Sequence, residues 1–352
     1  MKINSICLLL GILLISVISC RNDHKIDRYQ MVTRFNINNS VIDSFNFLSV
    51  GNGEFSFTVD ITGLQTFPDW YSCGFPLGTM SDWGWHRGEN PGCNYRFNLG
   101  IIALQILKKN GKEVSINDIK DPVQILNLWT GEIDSRFDVE GMPVHLKTVC
   151  HSDYDMISVK VNSDLIGMKR LRIKINFPPG LPSTTGYVFD SPHKQSTKIL
   201  ADTNNYSIFA RAQDNNNYYV LVWRNSAELK KVTQHIYYLE PHQIDSVYSF
   251  SCQFMKNLET GRIQNFGETE TASKKSWEKF WNNVSADDFQ GWSGPRAKEL
   301  ERRIILSKYF TKIKCNVPLS GLETGLTYDS WFGKFHIEMH WWLKCQKNSS
   351  QK

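Results

Sequence analysis

The densest reactive chemistry lies in Trp331-Phe332-Gly333-Lys334-Phe335-His336-Ile337-Glu338-Met339-His340-Trp341-Trp342. Read as a helix from Phe335, this segment puts His336 and His340 on one face at i, i+4. Glu338 is two residues from each and points elsewhere. The zinc-protease pattern sets its glutamate directly after the first histidine. Here Ile337 holds that position, so no metal is expected. Glu338 instead shares a face with Trp341 and Trp342, at i+3 and i+4. A carboxylate beside indole faces suits a sugar. The carboxylate accepts from adjacent hydroxyls and the ring covers the apolar C–H face. The same spacing also fits a helix that buries its tryptophans and pairs Glu338 with a neighbouring cation. Both readings stay open.

A second aromatic cluster is Trp70-Tyr71 followed by Trp83-Gly84-Trp85-His86-Arg87. Gly74, Pro76, Gly78, Gly88, Pro91 and Gly92 around it indicate a long loop. Either Trp83 and Trp85 are ligand platforms, or the rings pin the loop to the body beneath it.

Elements must position these residues. From residue 32 to 256 the apolar period is mostly two. Phe55 to Asp60, Met156 to Val161, Leu171 to Asn176, Tyr218 to Trp223 and Ser246 to Phe254 alternate between turn clusters such as Asp214-Asn215-Asn216-Asn217. Many short strands of this kind predict a large β-sandwich. The period then changes. Glu268 to Phe280 reads as a helix with Ala272, Trp277, Phe280 and Trp281 along one stripe. A second helix runs from Pro295 to Cys315, with Leu300, Ile304, Ile305 and Tyr309 inward and Lys298-Glu299-Glu301-Arg302-Arg303 on the solvated side.

Composition narrows the function classes. The 352 residues carry a formal charge of +5, with 41% apolar and 21% charged residues. These values fit a globular chain, and without a basic block no nucleic acid partner is expected. The excess is aromatic, with 11 Trp, 13 Tyr and 20 Phe.

The chain opens with Lys2 and an apolar run from Leu8 to Ser19. That run is shorter than the roughly twenty apolar residues of a spanning helix, so a cleaved export signal over 1–19 is expected. Val17-Ile18-Ser19-Cys20 resembles a bacterial lipobox, which makes Cys20 the lipidated first residue of an exported, membrane-anchored protein with a tether over 20–31. The membrane contact is through that lipid only. The remaining Cys73, Cys93, Cys150, Cys252, Cys315 and Cys345 are scattered and give neither a zinc knuckle nor a disulfide framework.

The ordered blocks carry a resemblance. Val50-Gly51-Asn52-Gly53-Glu54-Phe55-Ser56-Phe57 resembles the opening of the six-hairpin glycosidases, the group containing glycoside hydrolase family 65. Gly63-Leu64-Gln65-Thr66-Phe67, Gly78 to His86, Glu299 to Arg303, Glu323-Thr324-Gly325-Leu326 and Ser330 to Trp342 resemble a branch common in exported Bacteroidetes proteins. The resemblance implies a β plus α multidomain chain. A large N-terminal β-sandwich (32–256) is followed by a helical linker (257–294) and the start of an (α/α)6 barrel (295–342). It implies cleavage or phosphorolysis of α-glucosides with inversion, using a general-acid Glu and no cofactor. Phe335, His336 and Glu338 are nearest to the family's sugar-gripping motif, with the spacing off by one residue. His336, Glu338, Trp331, Trp341, Trp83 and Trp85 are therefore the expected substrate-binding residues. The family's general acid lies downstream of this motif, and residues 343–352 have lost the pattern. The expectation is a chain truncated early in its barrel and inactive alone, with a non-catalytic carbohydrate-binding sandwich as the alternative.

Overall fold

The computed structural model describes residues 26–87, 94–96, 98–178, 195–213, 216–242, 246–259, 264–292, 294–314 and Leu326, with only the backbone of 85–87, 94–96 and 216. Cys20, the segment from Trp331 to Lys352 and most of the loop around Cys93 lie outside the described residues.

Period-two stretches become strands. The short helix α1 (Arg28–Thr33) precedes β1 (Ile37–Asn39), β2 (Leu48–Gly51) and β3 (Phe55–Val59). A second short helix, α2 (Pro68–Tyr71), leads to β4 (Thr79–Ser81), β5 (Trp85–Arg87), β6 (Asn94–Arg96) and β7 (Ile101–Ile106). Then come β8 (Lys120–Asn127), β9 (Glu132–Val139), β10 (Met142–Cys150), β11 (Met156–Asn162), α3 (Asp164–Gly167) and β12 (Leu171–Asn176). The last strands are β13 (Gln195–Asp202), β14 (Tyr206–Gln213), β15 (Asn216–Arg224), β16 (Ala227–Lys231), β17 (Ile236–Pro241) and β18 (Val247–Met255). Two long helices, α4 (Phe266–Asn283) and α5 (Ala297–Lys314), follow.

The strands form a nine-stranded sheet, β1-β8-β9-β10-β11-β18-β15-β14-β13, and a four-stranded sheet, β16-β17-β12-β7. A three-stranded sheet, β2-β3-β4, and the ribbon β5-β6 complete the set. All pairs among the described residues are antiparallel. Phe137, Leu146, Val159, Phe209 and Phe250 of the large sheet share one core with Leu104, Ile173 and Leu239 of the smaller sheet. In β12 the alternation is complete: Leu171, Ile173 and Ile175 are buried while Arg172, Lys174 and Asn176 face outward. Burying one such aliphatic side chain contributes about 1.5–3 kcal/mol, which is why the register cannot slip by one residue.

Two stretches depart from half-burial. All of β3 is buried, including Ser56 and Thr58. It is the central strand of the small sheet, with α5 packed against it. Ser49 and Thr58 satisfy each other at 3.1 Å, whereas the Ser56 hydroxyl has no partner among the described residues. Strand β18 alternates at its start and is then buried on both faces. Helix α4 covers that end. Ser158 Oγ donates to Thr269 Oγ1 at 2.9 Å, and Ser251 Oγ donates to the Gln264 carbonyl at 2.9 Å.

Helix α4 starts two residues before the sequence expectation because Asn265 and Glu268 form a capping box with reciprocal 3.0 Å bonds. Its inward stripe is Phe266, Thr269, Ser273, Trp277 and Trp281. Ala272 and Phe280 are only half-buried. The Trp281 indole donates to the Leu128 carbonyl at 2.7 Å. Trp277 lies against Gly131, whose φ is +69° and where an added Cβ would sit 1.9 Å from the Trp277 Nε1.

Helix α5 docks through Tyr309, which stacks on Trp277 (centroids 4.7 Å apart, planes 9° apart) and donates to the Ser49 carbonyl at 2.9 Å. Its faces depart from the sequence expectation: Ile304 is only half-buried, and two positions are reversed. Leu300 is 52% exposed, and Glu301, expected on the solvated side, is 3% exposed. Arg34 explains the reversal, because its guanidinium reaches Glu301 and also Asp288 at 2.6 Å. Among the described residues no helix is long and apolar enough to cross a membrane.

Candidate functional site

The block from Val50 to Phe57 forms the β2–β3 turn, and Asn52 fixes it. The Asn52 Oδ1 accepts from the Glu54 and Phe55 amides at 2.9 and 2.8 Å. Its Nδ2 donates to the carbonyls of His151 and Tyr154 at 3.3 and 3.0 Å. This ties the turn to the β10–β11 loop and brings Asp155 beneath it. Gly51 is required here, since an added Cβ would lie 2.8 Å from the Ile313 carbonyl oxygen and 2.5 Å from that of Phe55.

The block from Gly78 to His86 supplies the other wall. It is not a long loop: β4 pairs with β3 and β5 pairs with β6. The Asp82 amide donates to the Glu54 carbonyl at 2.8 Å. The Trp83 indole N–H donates to Asp155 Oδ2 at 2.7 Å, and Ser81 Oγ donates to the same oxygen. Glu54, Asp82 and Asp155 thus converge around one turn. Burial pushes the Asp155 carboxyl up to about 6, opposed by the Ser81 and Trp83 bonds and assisted by Asp82 and Glu54. Burial and Asp82 also raise Glu54, which is exposed. Asp155 therefore holds or releases a proton near pH 6, while Glu54 reaches solvent.

Trp83 also leads inward. Its ring lies 6.1 Å from that of Tyr218, tilted by 49°. The Tyr218 hydroxyl donates to the Leu99 carbonyl at 2.9 Å and accepts from Arg211 Nε at 3.3 Å. Arg211 is 1% exposed. Its remaining partners are neutral: the carbonyls of Ser196 and Pro178, Thr197 Oγ1, Gln195 Oε1 and His235 Nδ1. A wall that is acidic at Asp155, aromatic through Trp83 and Tyr218, and cationic at Arg211 runs along this part of the core.

Trp83 is half-buried with its N–H engaged by Asp155, so it supports the acidic turn as well as lining it. Trp85 is placed by its backbone in β5, and its side chain lies outside the described residues. So do His336, Glu338, Trp331, Trp341 and Cys20, the residue expected to carry lipid. Of the block Glu323 to Leu326, Leu326 is described and is 1% exposed. Sequence reasoning missed Asp155 and Arg211. Arg211 had a signal, being a charge at an inward position of an alternating strand. Asp155 had none, because its partners lie more than seventy residues away.

The block from Gly63 to Phe67 is scaffold. Asp60 is fully buried, accepting from the Thr62 and Phe67 amides at 2.8 Å each and from the Thr62 hydroxyl at 2.5 Å. Gln65 bridges β3 and β7, donating to the Thr58 carbonyl at 3.0 Å and accepting from the Ile102 amide at 3.1 Å. Among the described residues no group of three or more His, Cys, Asp or Glu is placed to hold a metal ion.

Comparison with known proteins places the fold. No family model matches the chain, and no curated protein matches it. Among solved structures it is similar to a protein assigned as a kojibiose phosphorylase from the human microbiome. That match has a TM-score of 0.54 and 10% identity, and it covers 80% of this chain and 42% of the other. A bacterial glucoamylase complexed with acarbose gives a TM-score of 0.48 at 10% identity, over 79% of this chain and 44% of that one. A family GH92 α-mannosidase from Bacteroides thetaiotaomicron gives 0.36 at 7% identity, over 82% and 40%. The chain thus spans less than half the length of these structures. The likeness to the first of these is one of fold, and among the described residues that fold is mostly β-sheet with few helices.

Proposed function

We propose that this chain is the β-rich portion of an α-glycoside-processing protein, of hydrolase or phosphorylase type, and that it engages sugar at the Glu54/Asp82/Asp155 turn. The observation that carries this is the meeting of the blocks 50–57 and 78–86 on Asp155, which sets carboxylates beside an indole edge. Sugar hydroxyls donate to carboxylates, and aromatic rings cover sugar C–H faces. The likeness in fold to the structure assigned as a kojibiose phosphorylase supports the reading. By the resemblance, the bond-breaking step is an inversion performed by a barrel domain that begins at α5, with Glu338 and His336 gripping the sugar and Trp331 and Trp341 beside them. No catalytic residue is assigned among the described residues. The same reading makes the protein exported and anchored through lipid on Cys20.

Calorimetry of the purified chain with kojibiose, maltose and maltooligosaccharides tests the binding. The expected result is saturable binding that Asp155→Ala weakens at least tenfold. Absence of binding to every α-glucoside would overturn the reading. Turnover assayed with and without phosphate separates hydrolase, phosphorylase and non-catalytic binding. Metabolic labelling with a fatty acid, lost in Cys20→Ser, tests the anchor.

A further inference from the structure

We infer a second saccharide contact, on the outer face of the nine-stranded sheet, in the cleft between that face and the start of α4. The inference rests on the sugar reading above but uses none of the same residues. The cleft has a volume of about 520 Å³ and is lined by Lys147, Lys160, Trp223, Asn225, Ser249 and Glu270, among others. That size falls within the range of small-ligand sites.

The wall chemistry is what a polyhydroxylated ring needs. Trp223 is half-buried, and among the described residues its indole N–H has no acceptor and its ring has no aromatic partner. It therefore offers a flat apolar face with a free donor at the edge. Lys160 and Ser249 are direct cross-strand neighbours on β11 and β18, so an ammonium and a hydroxyl stand side by side. Asn225, exposed at the end of β15, adds an amide with one donor group and one acceptor. Glu270 supplies the acceptor on the helix side.

Charge placement gives an independent argument. Lys147 and Lys160 are directly opposed in register between β10 and β11. Like charges in that position destabilise a sheet. Lys147 is compensated by Glu132 at 2.8 Å, with Glu270 also near it. Lys160 has no ion pair among the described residues. A sheet that keeps an uncompensated cation opposite another, next to an indole with an unused N–H, holds donors that a ligand can fill. A sugar ring stacked on Trp223, with hydroxyls on Lys160, Ser249 and Asn225, fills them.

Saturation-transfer NMR and calorimetry of the full chain with maltoheptaose test this, using Trp223→Ala, Asn225→Ala and Lys160→Ala alongside Asp155→Asn. Thermal unfolding of each variant first confirms that it folds. The inference stands if Trp223→Ala and at least one of Asn225→Ala and Lys160→Ala weaken a binding event at least fivefold while Asp155→Asn leaves that event intact. Binding that Asp155→Asn abolishes and the three cleft variants do not touch overturns the second contact and leaves the first reading in place. Binding lost only in the cleft variants confirms the second contact and removes the first. Absence of any binding overturns both.

Discussion

The indole N–H of Trp83 donates to Oδ2 of Asp155 at 2.7 Å, joining the loop residue that precedes β11 to the segment between β4 and β5. The bond holds the acidic turn together, and its acceptor is a carboxyl pushed up to about 6 by burial. A raised acid favours the protonated folded state. Its contribution is therefore fully present below the ordinary value of 3.8 and is lost as pH rises through about 6. Asp155→Asn keeps an acceptor for Ser81 and Trp83 without the charge. The expected outcome is a gain of about 1–3 kcal/mol at pH 7 and a flatter stability profile between pH 4 and 6. Urea unfolding across that range checks both. Asp60, raised in the same direction, remains in both proteins and cancels in the difference.

Gly131 makes room for Trp277. At φ +69° any side chain is strained, and a Cβ there would meet the indole ring at 1.9 Å. Gly131→Ala is expected to destabilise by about 2–4 kcal/mol by displacing α4, which carries the Trp277–Tyr309 stack. Denaturant unfolding followed by tryptophan fluorescence measures it.

Arg34 reaches a carboxylate, Glu301, that is 3% exposed. Arg34→Ala leaves that charge buried and poorly compensated, at an expected cost of about 2–4 kcal/mol. The double variant Arg34→Ala/Glu301→Leu should recover most of the loss, since replacing both members with an apolar filling removes the desolvation penalty. A double-mutant cycle distinguishes this from a packing defect at α1, which Glu301→Leu would not repair.

His235 Nδ1 lies 3.2 Å from Arg211 Nη1 and 2.7 Å from Thr197 Oγ1. Burial, then Arg211, then Lys231 lower its pKa. A lowered base contributes stability above its ordinary value of 6.5 and loses it as pH falls below that value. Amide exchange in β13 and β14 is therefore expected to accelerate relative to the rest of the large sheet between pH 7.5 and 5.5. His235→Gln should remove the difference.

Much of the fold was legible in the order of residues. Leu171 to Asn176 is a strand with the expected bounds, because alternation encodes which face meets the core. Trp277 and Trp281 face inward as their spacing requires. Local patterns failed where a distant element changed a face. Ser158 and Ser251 look solvent-facing until α4 covers them, and Glu301 looks solvent-facing until Arg34 arrives from the other end of the chain.

The sequence by itself determined the β-rich layout, the two helices and the blocks that carry the glycosidase resemblance, since each depends on period, capping or a contiguous motif. Only the tertiary structure decided that two of those blocks meet on Asp155, that Trp83 spends its N–H there, and that Arg211 is buried among neutral partners. The reason is separation along the chain. The Trp83–Asp155 and Arg211–His235 contacts join residues from different segments, three of them in the connections between strands, and no local pattern encodes which segments become neighbours.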